Sequence, residues 1–538
     1  MIDEQFRLEV LDWIASDPDP ETAAQIEKWL TEGNEVELRK SFNGFLEFGT
    51  AGLRGPVRPG PSGMNRAVVG RTAAAIADFL KSCGLSKVVI GRDARHGSLE
   101  FAEESAEILS GAGLDVYLLP RQLPTPILAF AVNELRMDCG IMVTASHNPA
   151  IDNGYKVYLG GAIDGVTYRG SQIIAPIDSD ISKRIKAVTL PSPRGKTWTL
   201  VGEDLITRYV AKCAENHREE NPEKIVYTAM HGVGTETLLA VFREAKFTAP
   251  ILVSEQSEPN PNFPTVAFPN PEEPGAIDLA IKLAIKESAD LVIANDPDAD
   301  RCAVAAKDET GNWRMLRGDE LGILFAHYIA KSQSVQRKTF ATTIVSSSAM
   351  AKIAANAGAN FRETLTGFKW LSKIVDLAFG YEEAIGYCVD PRNVNDKDGI
   401  SAALKIAQIN SELLSRGSNL FAYLDEIWQE IGYHRTEQLS IRVSDISLIS
   451  TILSALIANP PTEIAGQRVT DFEDLSRATL STTGLRIRCG GSVRIIIRPS
   501  GTEPKLKTYV EVVGEKVSAD SLVSEIKSEL EKLFASYR

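Results

Sequence analysis

Three aspartates at alternate positions, Asp296, Asp298 and Asp300, are the sharpest chemical signal in this chain. Carboxylates so close together repel one another unless a cation gathers them, and their hard oxygens suit magnesium or calcium. The run is Asp296-Pro297-Asp298-Ala299-Asp300-Arg301. It is not an EF-hand loop, because Arg301 stands where the sixth-position glycine is required and Lys307 where the twelfth-position glutamate is required. Nor is it a D-x-D-x-T phosphatase nucleophile, since Asp300 replaces the threonine. A second loop, Thr144-Ala145-Ser146-His147-Asn148-Pro149, sets a hydroxyl among small and polar neighbours. Such a serine can be presented outward, with His147 and Asn148 able to donate hydrogen bonds and Pro149 stiffening the exit. The G-x-S-x-G elbow of α/β-hydrolases is absent. A third loop, Gly380-Tyr381-Glu382-Glu383-Ala384-Ile385-Gly386-Tyr387, brackets two carboxylates with glycines. Carboxylates accept hydrogen bonds from sugar hydroxyls, and glycines let the backbone come close. A fourth, Arg498-Pro499-Ser500-Gly501-Thr502-Glu503-Pro504-Lys505, combines a guanidinium fork, two hydroxyls and a glycine turn, an anion nest suited to phosphate. It lacks Walker spacing, so it is not a nucleotide P-loop. Taken singly, each loop also reads as an ordinary polar turn. As a set they are the parts needed to move a phosphoryl group on a polyol, where positioning and charge neutralisation do most of the work.

These loops need elements to hold them. Two helices are expected first, one through Phe6, Val10, Leu11 and Ile14, broken at Asp17–Pro20, and one from Glu21 towards Trp29. The stretch Phe48–Gly63, with five glycines and three prolines, is expected to be a shaped loop with no regular element. From Asn65 onward, helical and apolar stretches alternate. The segments KVVIGRD, LDVYLLP and CGIMVT read as strands, and the last opens into the serine loop. EKIVYTAM, ADLVIAN and KTFATTIVSS repeat the pattern, and ADLVIAN opens into the aspartate loop. Strands separated by helices predict α/β units with largely parallel sheets, whose ligand loops lie past the strand ends. The last hundred residues differ. GGSVRIIIRPSGTEPKLKTYVEVVGE reads as two strands around a tight loop, and an amphipathic helix follows with Leu522, Ile526, Leu530 and Leu533 on one face.

At about 150 residues per domain, 538 residues suggest three or four domains. The formal net charge of −13 makes nucleic acid and anionic membranes poor partners. Apolar residues at 44% and charged residues at 24% are globular proportions that exclude wholesale disorder. Six scattered cysteines form no C-x-x-C pair, which removes support for zinc ribbons and thioredoxin chemistry. The start has no secretory signal, and no stretch is apolar enough to span a bilayer, so the expected location is cytoplasmic. Six histidines, none paired at i, i+4, argue against an alkaline-phosphatase-like metal hydrolase.

In this order and spacing, the four loops resemble the α-D-phosphohexomutase superfamily of phosphoglucomutases and phosphomannomutases. The resemblance runs from FGTAGLRG at residues 48–55 to RPSGTEPK at 498–505. It implies an α/β fold of four domains around a central cleft, three of them similar and the last a smaller, mobile α+β domain. We set the boundaries at 1–200, 201–310, 311–431 and 432–538. The resemblance further implies a Ser146 that is phosphorylated in the active enzyme, with its phosphate joining Asp296, Asp298 and Asp300 as magnesium ligands. It matches Lys156 of Asn-Gly-Tyr-Lys to a family lysine ten residues after the serine, Lys397 of Asp-Lys-Asp-Gly to a lysine of the phosphoglucomutase branch and Arg54 of Gly-Leu-Arg-Gly to an arginine near the reacting phosphate, and with His147 these are the expected catalytic residues. Glu382 and the Thr366-Gly367-Phe368-Lys369 loop would contact the sugar. Arg498, Ser500, Gly501 and Thr502 would hold the non-reacting phosphate, and Arg301 is assigned to substrate binding.

The implied activity interconverts 1- and 6-phosphates of a hexose through a sugar bisphosphate, on a chain acting as monomer or homodimer. Ala384 stands where the commoner loop has serine, and Tyr387 where one branch has histidine. The form E-E-A-I-G-Y resembles the branch that includes phosphopentomutases. Ribose phosphate turnover, or synthesis of a sugar 1,6-bisphosphate, is therefore the alternative. A non-catalytic sugar-phosphate binder would have lost the serine or the carboxylates, and both are present.

Overall fold

Two compact units make up the computed structural model, which describes residues 2–49, 52–188, 192–215, 223–443, 445, 447–500 and 505–537. The first unit holds the residues up to Met315 together with Gly386–Ser411. The second holds Leu316–Ile385 together with the residues from Glu412 onward.

The first unit begins with three helices, Glu4–Ser16, Pro20–Thr31 and Glu35–Ser41, capped by the side chains of Asp3, Asp19 and Asn34. The third was not foreseen. Next comes a sheet in the order Phe48–Gly49, Gly52–Pro56, Asp152–Leu159, Cys139–Val143, Lys87–Arg92, Asp115–Leu118 and Thr199–Leu200. Its last four strands run parallel, three of them as their apolar runs predict, and the exposed pair Thr199–Leu200 was not foreseen. Asp152–Leu159 pairs antiparallel with its neighbours on both sides, so the sheet is mixed. Helices Arg66–Ser82, Ser98–Gly111 and Thr125–Glu134 cover it. The second sheet has Ile251–Leu252, Ile225–Thr228 and Leu291–Ala294 parallel, then Ala303–Lys307 and Trp313–Met315 antiparallel.

The expectation of a loop without regular structure over Phe48–Gly63 is corrected here. Gly52–Pro56 is a strand, paired with Phe48–Gly49 on one side and Asp152–Leu159 on the other. The glycines serve close sheet packing. Gly52 has φ +89, and a Cβ there would lie 2.4 Å from the Tyr155 carbonyl oxygen.

In the second unit, Asn360–Thr364, Thr339–Thr343 and Leu377–Glu382 form a parallel sheet. A six-stranded antiparallel sheet follows, in the order Tyr433–Arg442, Lys505–Gly514, Val493–Pro499, Leu485–Cys489, Gln467–Asp474 and Glu463–Ile464. The helix Lys516–Ala535 packs on it, burying Val523, Ile526, Leu530 and Phe534. Among the described residues, no helix is long and apolar enough to cross a membrane.

Candidate active site

The wholly buried strand Cys139–Val143 ends at Thr144, whose hydroxyl accepts from the Ser146 amide at 2.9 Å. Ser146 has φ +51, a left-handed turn that its neighbours must hold. Two residues absent from the sequence reading do this. Asp93, fully buried past the strand Lys87–Arg92, accepts from the hydroxyls of Thr144 at 2.7 Å and Ser98 at 2.6 Å. It also lies 3.4 Å from the Arg95 guanidinium. Arg95 in turn donates to the carbonyls of Ser146, Asn148 (2.7 Å), Pro149 (2.8 Å) and Asp152 (3.0 Å). It stacks 4.9 Å over the Phe263 ring. The available signal was Gly-Arg-Asp-Ala-Arg directly past a buried strand, the same placement as the serine loop.

The aspartate loop leaves the buried strand Leu291–Ala294 with Ala299 at φ +53. Far from being a solvated turn, it is buried, and one oxygen from each of the three carboxylates lies within 4.8 Å of the others. Ser146 Oγ donates to Asp296 Oδ2 at 2.6 Å. Lys156 Nζ donates to Asp298 Oδ2 and Asp300 Oδ2, both at 2.7 Å, and Thr125 Oγ1 reaches Asp298 Oδ2 at 2.6 Å. Lys397 Nζ lies 3.3 Å from Asp300 Oδ2. Asp298 Oδ1 and Asp300 Oδ1 are buried and accept no hydrogen bond among the described residues. Acceptors of that kind, in a cluster of hard oxygens, fit a divalent cation.

The charges divide the three aspartates. Burial first, then the charges of Asp298 and Asp300, push the Asp296 carboxyl well above the usual range. Burial also opposes ionisation of Asp300, but Lys156, Lys397 and Arg301 outweigh it and hold the group far below. Lys156 does the same for Asp298 against burial and Asp300. His147 Nδ1 lies 3.1 Å from Ser146 Oγ. Burial, then Arg301 and Arg54, drive that imidazole well below its usual range, so it is neutral at neutral pH. Arg54, on the unforeseen strand, donates to Asn148 Oδ1 at 3.0 Å. Arg301 has its Nε 3.9 Å from Asp296 and 3.8 Å from Asp300.

Lys397 is brought to this cluster by its own loop. Gly399 N donates to Ala299 O at 3.2 Å, and Asn295 Nδ2 reaches Gly399 O at 3.2 Å. A Cβ on Gly399 would lie 2.2 Å from Arg301 O, so only glycine allows the two loops to meet. Asp398 caps the helix Gly399–Ser415 through the amides of Ile400 and Ser401, and accepts from Tyr209 OH at 2.9 Å.

In the second unit, Glu382 Oε1 accepts from the Gly367 amide at 2.8 Å, so the strand end and the Thr366–Gly367 turn meet. Gly367 has φ +106 and opens the short helix Phe368–Leu371, which carries the buried Lys369. Arg498 lies near the end of Val493–Pro499, and Ser500 N donates to Lys505 O at 2.8 Å across the base of its loop. Gly501 and Thr502 lie outside the described residues. The structure therefore assembles Arg54, Ser146, His147, Lys156, Asp296, Asp298, Asp300, Arg301 and Lys397 in one unit. Thr366, Gly367, Lys369, Glu382, Arg498 and Ser500 belong to the other.

Comparison with known proteins gives matches along most of the chain. Residues 46–188, 207–311 and 317–431 match alpha/beta/alpha domains I, II and III of phosphoglucomutase/phosphomannomutase, and 462–529 match its C-terminal domain. A probable phosphomannomutase of Haemophilus influenzae is 45% identical over 472 residues, spanning 86% of this chain and 96% of that protein. Human phosphopentomutase is 34% identical over 594 residues, spanning 99% of this chain and 95% of that protein. In fold, the chain is similar to a putative phosphomannomutase of Thermus thermophilus, with TM-score 0.70 at 22% identity, covering 91% of this chain and 98% of that one.

Proposed function

Because the chain belongs to the phosphoglucomutase/phosphomannomutase family, and is thus an intramolecular phosphotransferase of that type, we propose a working cycle on a hexose phosphate. The phosphoryl group moves between the 1- and 6-positions through a phosphorylated Ser146. The observation that carries this reading is the 2.6 Å bond from Ser146 Oγ to Asp296, beside carboxylates held ionised by Lys156.

Phosphoserine is a stable monoester, suited to storing a phosphoryl group. The free hydroxyl of the sugar phosphate attacks phosphorus and gives up its proton, the bond to Ser146 Oγ breaks, Oγ takes up a proton to become the free serine hydroxyl, and a sugar bisphosphate forms. That bisphosphate turns over and returns its other phosphate to Ser146. Lys156, Lys397, Arg54 and Arg301 carry the positive charge around this site and neutralise the group in transfer. Magnesium held by Asp296, Asp298 and Asp300, with the phosphate on Ser146, would add further positive charge there. Arg95 and Asp93 keep Ser146 in its left-handed turn. Glu382 accepts from sugar hydroxyls, and Arg498 and Ser500, together with Gly501 and Thr502, anchor the phosphate that is not reacting.

Glucose phosphate is the first-choice substrate, with mannose phosphate close behind. A pentose phosphate is the second reading, favoured by Ala384 and Tyr387 in the sugar loop and by the full-length likeness to human phosphopentomutase. Assays on glucose, mannose and ribose 1-phosphates, with a bisphosphate activator, test the choice. A preference for ribose 1-phosphate by orders of magnitude would overturn the hexose reading. Ala384→Ser restores one neutral hydrogen-bonding group, worth about 0.5–1.5 kcal/mol, and should shift the ratio of kcat/KM among the three sugars by about three- to tenfold.

A further inference from the structure

We propose that the buried pair Arg494–Glu511, acting through the serine turn Ser346–Ser348, positions the sugar loop around Glu382 and so helps set sugar specificity without touching substrate. The inference rests on the reading above, in which Glu382 meets the sugar and Arg498 the distal phosphate.

Arg494 lies on the strand Val493–Pro499, four positions before Arg498 and on the same face. It stands opposite Glu511 on the strand Lys505–Gly514, with Nη2 2.8 Å from Oε2. Both side chains are nearly buried. A buried ion pair is weak evidence for stability, because desolvation offsets the attraction, so its remaining bonds are the more informative feature. Four of the six reach the turn or Ile344, two residues before it. Arg494 donates to Ile344 O at 3.1 Å, to Ser346 O and to Glu363 Oε1 at 3.3 Å. Glu511 Oε1 accepts from Ser347 Oγ at 2.8 Å and Ser348 N at 2.7 Å, and from His434 Nδ1 at 3.1 Å. Ile344, Val345, Leu475, Ile496 and Tyr509 form an apolar cluster at the same junction.

The other side of that turn holds the sugar loop. Ser346 Oγ bonds Glu383 Oε2 at 3.1 Å and accepts from Glu383 N at 3.3 Å, while Thr343 Oγ1 reaches the same carboxylate oxygen at 3.1 Å. Ser347 N donates at 2.7 Å to Asp319 Oδ1, which also accepts from Tyr381 OH at 2.8 Å. Tyr381 and Glu383 flank Glu382. The turn is thus bonded on one face to the sheet that carries Arg498 and on the other to Glu383 directly and to Tyr381 through Asp319, so that displacing it should displace Glu382.

Glu511→Gln keeps the shape and removes the charge, and Ser346→Ala removes the link to Glu383. Kinetics of the full chain on glucose, mannose and ribose 1-phosphates should show both changes shifting the kcat/KM ratios among sugars in the same direction. The expected shift is about threefold or more, the size of one hydrogen bond, and the double variant should do little more than either single one. Hydrogen exchange at the amides of Gly380–Ile385, which needs no turnover, should quicken in both. Unchanged ratios and unchanged exchange, with only the melting temperature lowered, would overturn the proposal. If the wild type turned over none of the sugars while exchange still responded, the functional reading would fail and the mechanical coupling would stand. Should Glu511→Gln fail to fold, Ser347→Ala removes a single bond of the pair and carries the same test.

Discussion

Ser146 faces Asp296 across 2.6 Å and rests on a left-handed backbone that Arg95 and Thr144 hold in place. A serine held this way is expected to carry phosphate as purified, seen as an intact-mass difference removed by phosphatase and mapped to its peptide. Ser146→Ala should abolish nearly all mutase flux, and an active enzyme never phosphorylated there would end this mechanism. The cluster beside it is expected to bind magnesium, and a ligand that binds only the folded state raises its stability. Magnesium should therefore raise the melting temperature of the wild type, and Asp298→Asn should lose most of that rise together with activity. That the serine and aspartate loops each follow a buried strand was legible, because serine, aspartate and their spacing are written in the sequence. Arg95 was not, because its partners are backbone carbonyls more than fifty positions away, and a carbonyl leaves no mark on residue type.

Among the elements, the strand ends were the readable part. Buried runs such as CGIMV and LVIA predicted both the strands and the loops beyond them. The strand Gly52–Pro56 was misread because glycine and proline signal turns, whereas here glycine admits a neighbouring backbone. Gly399 makes the same kind of close approach. Gly399→Ala would press a methyl against Arg301 O and should part the Lys397 loop from the aspartate loop, lowering kcat at least tenfold and destabilising the fold by on the order of 2 kcal/mol. Turnover and melting near wild type would refute this.

Two carboxyls in the second unit pull stability in opposite directions with pH. Burial resists ionisation of Glu511, but Arg494 and His434 hold it down to about 2, below its ordinary 4.5. Its contribution is present above about pH 4.5 and is lost as pH falls towards 2. Burial raises Asp319 from 3.8 to about 6, so its contribution is fully present only below pH 3.8 and is lost as pH rises through 6. Asp319→Asn should therefore flatten the decline of melting temperature between pH 4 and 6, and an unaltered slope would contradict the assignment.

For the whole molecule, the sequence announced four chemical loops and four domains, but not that Gly386–Ser411 would join the first unit. Loop chemistry is local, while the grouping of domains depends on packing between residues far apart. Arg498→Ala should raise KM for the monophosphate with a smaller change in kcat, since it removes binding shared by ground and transition states. A loss of turnover at fixed KM would mean that this loop does something other than anchor. The segment Gly386–Ser411 belongs to the first unit although most of the second unit's α/β domain precedes it in the chain. That order matters while the protein is being made. A ribosome adding 5–20 residues per second needs roughly 5–20 s to pass from Asp300 to Lys397. For that interval the nascent aspartate loop has Lys156 but not its second lysine, and the first unit is incomplete until Ser411 has been added. The half-made chain is thus when this cluster of like charges is most exposed, and a cation bound early would shield it.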